Sequence, residues 1–167
     1  MSRLKRWGRD LLVLALLMLV MIWVMDSWRA PQVPLAFADQ PMHTVDGREV
    51  TLSTLSQERP LLVYFWASWC NICRFTTPAV AAMAEDGSNV IGIVLRSGED
   101  AKVERYLQAK EYRMPLINDQ DGRLSASWQV SVTPTLVIID KGRVVSSTSG
   151  FTSSWGIKLR LWWAGWR

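Results

Sequence analysis

Cys70 and Cys73 are the only cysteines in the chain. They stand as Trp69-Cys70-Asn71-Ile72-Cys73-Arg74, between an unbroken apolar run, Leu61 to Trp66, and a stretch whose spacing predicts a helix from about Asn71 to Glu85. Residues three apart in a first helical turn have Cα atoms roughly 5 to 6 Å apart, inside the window a disulfide requires. The unpaired N–H groups and partial positive charge of a helix N-terminus favour thiolate over thiol at Cys70. Thiolate is the attacking species in disulfide exchange, so Cys70 is the expected nucleophile and Cys73, one turn deeper, the expected resolving thiol. Arg74, four residues after Cys70, either adds positive potential on the same face or is an ordinary solvated helix charge.

Other uses of a cysteine pair fit less well. A structural zinc site needs about four ligands, and beyond the two sulfurs the chain offers a single histidine, His43, and carboxylates. A purely structural bridge enclosing two residues would constrain little unfolded-chain entropy. A Cu(I) ion held by two soft thiolates is chemically reasonable and stays open as an alternative.

These residues must be positioned by a domain, and the domain must be placed. Leu11 to Met25 is an unbroken apolar run preceded by Arg3, Lys5, Arg6 and Arg9 and closed by Asp26. This is a targeting or anchoring signal. A secretory peptide would need small residues close behind the run. The only such pattern, Ala36-Phe37-Ala38, lies well downstream behind Asp26-Ser27-Trp28-Arg29, Pro31 and Pro34. An uncleaved helix from Trp7 to Trp28 would rise roughly 32 Å, about the hydrocarbon thickness. With the basic flank cytoplasmic, the domain lies outside the cytoplasm. Residues 1–28 are thus read as flank and single transmembrane signal-anchor, 29–38 as a stiffened linker, and 39–167 as the folded domain.

The net charge of +4 suggests a polyanion partner until it is divided. Residues 1–38 hold five of the 19 basic side chains and two of the 15 acidic ones, leaving a domain of 14 basic against 13 acidic. A nearly neutral domain carries no footprint for nucleic acid.

Along the domain, Asp46-Gly47 between Val45 and Arg48-Glu49-Val50 signals a hairpin. Leu61 to Trp66 reads as a central strand covered on both faces. The helix behind it should turn Val80, Met83 and Ala84 inward and be kinked at Pro78. Asn89 to Leu95 is a second buried strand. Ser97 and Asp100 form an expected capping box for a helix presenting Val103, Tyr106 and Leu107. A strand at Leu116 to Asn118 and a helical turn at Leu124 to Val130 follow. Thr135 to Ile139 and Arg143 to Ser149 read as a hairpin turned at Asp140-Lys141-Gly142, before a last helix from about Ser153 to Trp166. Trp155, Leu159, Trp162 and Trp166 recur there at helical spacing, with Trp163 alongside. A helix covering the sheet is the favoured reading; the second, given Lys158, Arg160 and Arg167, is contact with a membrane interface or partner. The whole predicts an α/β sheet of mixed direction flanked by helices.

Phe65-Trp66-Ala67-Ser68-Trp69-Cys70-Asn71-Ile72-Cys73, with Pro78 and the later Val132-Thr133-Pro134-Thr135, resembles thioredoxin. More closely the chain resembles the membrane-anchored TlpA, ResA and CcmG branch, and within it the suppressor-of-copper-sensitivity D (ScsD-like) type. The likeness covers about Asp39 to Trp163 and includes the leading hairpin that plain thioredoxin lacks. It implies a thioredoxin fold with an N-terminal β-hairpin extension, a cis peptide between Thr133 and Pro134 beside the cysteines, and an exposed Trp69 next to the nucleophile. It also implies a protein disulfide oxidoreductase whose redox centre is the Cys70–Cys73 pair, with no other cofactor.

Two departures stand out. Thioredoxin keeps a buried acid six residues before its first cysteine, where this chain has Tyr64, and the anchored branch often has Glu three residues after the second, where it has Thr76. Asn71-Ile72 also replaces the Gly-Pro of thioredoxin, in a fold whose potentials span roughly −270 to −120 mV. The function expected is reduction of disulfides in exported proteins, in cytochrome c maturation or copper tolerance, with electrons from a membrane donor of DsbD type. The place expected is the periplasmic side of a bacterial inner membrane. A disulfide-donating oxidase is the enzymatic alternative. His43 is read as a surface residue of the first hairpin.

Overall fold

The computed structural model describes residues 2–28, 31, 33–34 and 36–166, with side chains in the first stretch at 7–22, 24, 25 and 27. Arg3, Lys5 and Arg6 of the basic flank, Trp28, Arg29 and Arg167 have side chains outside the described residues. The apolar run forms helix α1, Ser2–Trp28. Its side chains from Leu11 to Ile22 are all exposed. Among the described residues no helix is long and apolar enough to cross a membrane. The consecutive described side chains of α1 run from Trp7 to Ile22, short of the about 20 residues a span requires. The expected transmembrane helix is therefore not carried by the described residues.

A 3-10 turn at Phe37–Asp39 leads into the domain. The Asp46-Gly47 hairpin forms from very short strands, β1 (Met42–His43) and β2 (Glu49–Val50). Gly47 takes a positive φ of 82°, which a turn there needs and which glycine adopts without steric cost. The Thr44 hydroxyl donates to the Asp46 carboxylate and, with Arg48, holds it below its ordinary pKa. The Val45 N–H donates to the Leu116 carbonyl at 2.8 Å, so the hairpin covers an otherwise open sheet edge. A short helix, α2 (Leu52–Leu55), follows; its cap, Thr51, accepts from the Thr54 N–H, and the sequence did not suggest it.

Strand β3 (Leu61–Trp66) is central, and all six of its residues are buried. It runs parallel to β4 (Val90–Leu95) and antiparallel to β6 (Thr135–Asp140). With β5 (Leu116–Asp119) and β7 (Arg143–Ser149) the order is β5-β4-β3-β6-β7, the mixed sheet of a thioredoxin-like fold. Alternation explains why β3 reads as continuous apolar sequence. Leu62, Tyr64 and Trp66 enter one core with Val80, Met83, Val103 and Ile157; Leu61, Val63 and Phe65 enter the other with Leu52 and Trp128. The β6–β7 turn places Lys141 and Gly142 at φ 48° and 74°, the pair of positive values of a two-residue hairpin loop.

The helices are α3 (Cys73–Glu85), with Pro78 inside it, α4 (Asp100–Ala109), α5 (Arg123–Ser127) and α6 (Ser154–Ala164). Val80 and Met83 face the core and Ala84 is partly buried, as expected. Two expectations are corrected. Ser97 does not cap α4: Glu99 holds the cap position without a side-chain bond. The Ser97 hydroxyl instead donates to the Leu95 carbonyl and accepts from the Ser68 N–H, while Asp100 accepts from Asn118. Helix α6 does cover the sheet, but through Ile157, Leu161 and Ala164; Trp155, Leu159, Trp162, Trp163 and Trp166 all point outward. The packed face is the less conspicuous one, because three small-to-medium aliphatic groups suffice to seat the helix.

Candidate active site

Strand β3 delivers the chain to a tight turn in which the Cys70 N–H donates to the Ala67 carbonyl at 3.2 Å. Cys70 stands just outside the helix rather than in its first turn, since α3 begins at Cys73. The difference sharpens the chemistry. The Cys73 N–H, a donor at the helix start, points at the Cys70 sulfur at 3.2 Å, which stabilises charge on that sulfur directly and adds to the helix dipole. The two cysteines are joined as a disulfide with Cα atoms 5.3 Å apart. Cys70 is 7% exposed against 2% for Cys73, so an incoming sulfur meets Cys70 first.

The loop before β6 closes the other side. The Thr133–Pro134 bond is cis, as the resemblance implied, and the Thr133 carbonyl oxygen lies 3.5 Å from the Cys70 sulfur. The Gly150 N–H donates to the Pro134 carbonyl at 2.7 Å, and the Thr135 hydroxyl donates to the Val132 carbonyl at 2.8 Å. Both bonds hold the loop in place from the sheet side. Trp69 is 59% exposed, its ring anchored by an indole N–H bond to the Arg96 carbonyl at 3.0 Å. Ser97, through Ser68, ties the same strand-to-helix turn to the end of β4. Cys70, Cys73, Trp69, Thr133 and Pro134 are thus brought together. Arg74 is exposed on the first turn of α3, and among the described residues it makes no hydrogen bond to Cys70. Exposed apolar groups that the sequence did not single out, Ile72 and Phe75, join Trp69 around the pair, and Phe151 follows directly on Gly150.

The proton question has a structural answer. Tyr64 is fully buried and its hydroxyl is hydrogen-bonded to the Thr77 hydroxyl at 2.9 Å. Burial pushes its pKa well above the ordinary phenol value, and the Thr77 bond offsets only part of this. Tyr64 is therefore neutral at any physiological pH and accepts no proton as a base. The Thr76 hydroxyl is buried with no partner among the described residues. Asp119 is the one buried carboxylate among them, and it is committed to the Leu124 and Ser125 N–H groups at the start of α5. Neither Tyr64 nor Thr76 supplies an acid, and among the described residues no other buried acid is left to serve Cys73.

Tyr64→Phe tests this account. The variant should be less stable at pH 7 by about 0.5–1.5 kcal/mol, since the Thr77 hydroxyl loses a buried partner. The folded pKa is raised above about 10, so the neutral phenol's contribution is present below pH 10 and is lost as pH climbs beyond it. Tyr64→Phe removes that decline, and urea midpoints of the two proteins should converge between about pH 9 and 11. Parallel curves would show that Tyr64 does not titrate with folding.

His43 lies on the exposed hairpin, 3.6 Å from the Glu49 carboxylate and away from the cysteines. Among the described residues no group of three or more His, Cys, Asp or Glu side chains could hold a metal ion.

Residues 29–148 match the AhpC/TSA family. A thioredoxin-like protein of Haemophilus influenzae is 37% identical over 162 residues, 97% of either chain. The thiol:disulfide interchange protein DsbE of Pseudomonas aeruginosa is 26% identical over 81% of this chain and 79% of its own. Among solved structures, the exposed lipoprotein thioredoxin Etrx1 of Streptococcus pneumoniae superposes with a TM-score of 0.64 at 27% identity, over 73% of this chain and 96% of its own.

Proposed function

The chain belongs to the AhpC/TSA family and is a thioredoxin-like thiol-disulfide oxidoreductase, and on that premise we propose that it is anchored by α1 in a bacterial inner membrane and reduces disulfides of exported proteins on the periplasmic side. The observation that carries the reading is the Cys70 sulfur: it is the more exposed of the pair, faces the Cys73 N–H and the Thr133 carbonyl, and lies in a short stretch that exposes Trp69, Ile72 and Phe75. Exposed apolar groups so near the cysteines suit an extended segment with apolar side chains beside its own cysteines.

The reaction runs in two exchanges. The Cys70 thiolate attacks one sulfur of the substrate disulfide; that bond breaks as the Cys70–substrate bond forms, and the second substrate sulfur leaves as a thiolate that takes up a proton. Cys73, deprotonated by water, then attacks the Cys70 sulfur, restoring the internal disulfide and releasing the first substrate sulfur. The substrate gains two electrons and two protons. Resetting the pair requires the same two electrons from a dithiol donor, and a membrane donor of DsbD type would supply them.

The anchor rests on the Leu11–Met25 run, its exposed side chains and the Arg3, Lys5, Arg6 and Arg9 flank. The lipoprotein thioredoxin and the DsbE protein, by their names an exposed protein and an interchange protein, lend support to an extracytoplasmic role. Within that role the ScsD-like branch, serving copper tolerance or cytochrome maturation, is the reading the resemblance favours.

The direction of transfer is tested by equilibrating the protein in dithiothreitol or glutathione buffers and counting alkylated thiols. A potential near or below about −250 mV is expected of a reductant. A value between about −180 and −120 mV would make the pair a disulfide donor, and the reductive reading would be withdrawn.

A further inference from the structure

Helix α6 has two apolar faces and the fold uses one. Ile157, Leu161 and Ala164 seat it on the sheet. At 3.6 residues per turn, Trp155, Leu159, Trp162 and Trp163 fall within about 100° of arc on the opposite side, and Trp166, in the turn just past the helix end, continues the row. They are 56–82% exposed, and the rings of Trp162 and Trp166 meet at 5.2 Å, so the row is continuous. Lys158 and Arg160 stand on the two flanks of the row, and α6 contains no acidic residue.

We propose that this face of α6 lies in the headgroup layer of an anionic membrane, holding the domain against the bilayer at a second point beside α1; the inference rests on the anchored reading above. Three observations favour lipid over a protein occupant. The row is almost entirely tryptophan, whose ring is apolar with one donor and which concentrates at membrane interfaces, where leucine and phenylalanine would serve a protein groove equally well. Its charged borders are basic only, which complements anionic headgroups. And the outer end of α1 already lies there: Met21, Ile22 and Met25 face Phe151, Ser153 and Arg160 across a cleft. The segment read as the anchor therefore meets the domain where α6 begins.

The placement has a consequence for chemistry. The Gly150 N–H bond to Pro134 puts the start of α6 one short loop from the cis peptide. A domain held at both α1 and α6 keeps Cys70 close to the membrane plane, within reach of a donor embedded in the same bilayer.

The full chain is reconstituted in phosphatidylcholine vesicles with about a quarter phosphatidylglycerol, with or without bromine on the acyl chains, as wild type and as W155F/W162F/W163F/W166F. Phenylalanine keeps the face apolar, so the variant should fold and retain its disulfide-reductase activity. The difference in emission between the two proteins belongs to α6, while the variant still carries Trp7, Trp23 and Trp28 of α1. The expected result is that brominated lipid removes at least about half of the difference emission. A difference emission untouched by bromine, with the variant's own emission quenched, would overturn the inference and leave the anchor standing. Blue-shifted but unquenched difference emission would assign the face to a second copy or another protein, and equally overturn it. Loss of flotation with the vesicles, with neither signal quenched, would remove the anchor and the α6 contact together.

Discussion

Replacing Cys70 by serine should reduce insulin-disulfide reduction to the uncatalysed background, a loss of at least about a thousandfold. The expectation follows from geometry as well as from the presence of a cysteine pair. Only the Cys70 sulfur receives the helix-start N–H, at 3.2 Å, and only it approaches the Thr133 carbonyl beside which an extended substrate would lie. Cys73 is almost completely enclosed and meets a partner sulfur only after Cys70 has captured it. Cys73→Ser should therefore keep the first exchange and lose the second. Mixed disulfides with substrate should accumulate, visible as adducts on non-reducing gels and by mass, and should disappear when dithiothreitol is added. Full reductase activity in Cys70→Ser would end the proposal. Adducts trapped by Cys70→Ser, and not by Cys73→Ser, would exchange the two roles.

The missing acid gives these adducts a further meaning. With Tyr64 held neutral by burial, Thr76 in the second place and Asp119 occupied by two backbone donors, no buried acid among the described residues takes the Cys73 proton, which must pass to water or an exposed carboxylate. Resolution is then the slow half of the cycle, and the wild-type protein itself should hold its substrate longer than a relative with a buried carboxylate. The proposed tether would suit such a lifetime, since a protein held beside its partners need not diffuse between them.

How much of this could be read from the chain depended on how local each feature was. The two-cysteine turn between β3 and α3, the Asp46-Gly47 and Lys141-Gly142 turns and the succession of strands and helices along the chain are set by neighbours in sequence. They came out close to their expected bounds. The errors concern contacts across many residues. Ser97 looked like a helix cap because Asp100 follows it at the right spacing, yet its hydroxyl serves the Ser68 N–H, 29 residues away in sequence. The four tryptophans recurring at helical spacing are the conspicuous pattern in α6, yet the packed face is that of Ile157, Leu161 and Ala164, which the spacing of apolar residues alone does not single out. Helix α3 begins two residues later than its expected start at Asn71, since spacing alone does not say which residue first takes helical dihedrals. Nothing local marked Trp128 either: it lies in an expected helical turn, and its partners come from elsewhere in the chain.

Trp128→Ala should be the most damaging substitution outside the cysteines, costing about 3–5 kcal/mol of a total stability of about 5–15 kcal/mol. Trp128 is 1% exposed and fills the core on the face of the sheet away from α3. Its ring meets Phe37 edge-on at 5.1 Å and Phe65 at 5.2 Å. It therefore pins the 3-10 turn at the entry to the domain against the strand that leads to Cys70. The same residue closes α5, its N–H donating to the Leu124 carbonyl, and Gln129 and Val130 then turn back with N–H bonds to Ala126 and Ser125 before the chain reaches Thr133. Emptying this site loosens the end of α5, from which the chain runs on to the cis-peptide loop, and removes an aromatic cluster. Exchange activity should fall by more than the unfolded fraction explains, and amide exchange should quicken at 129–134 and 36–39 before it does in β3. Trp128→Phe keeps most of the volume and should recover the greater part of both effects. A wild-type urea midpoint in Trp128→Ala would show that the packing around Phe37 and Phe65 collapses to fill the space, and that the loop presenting Thr133 is held from the sheet side alone.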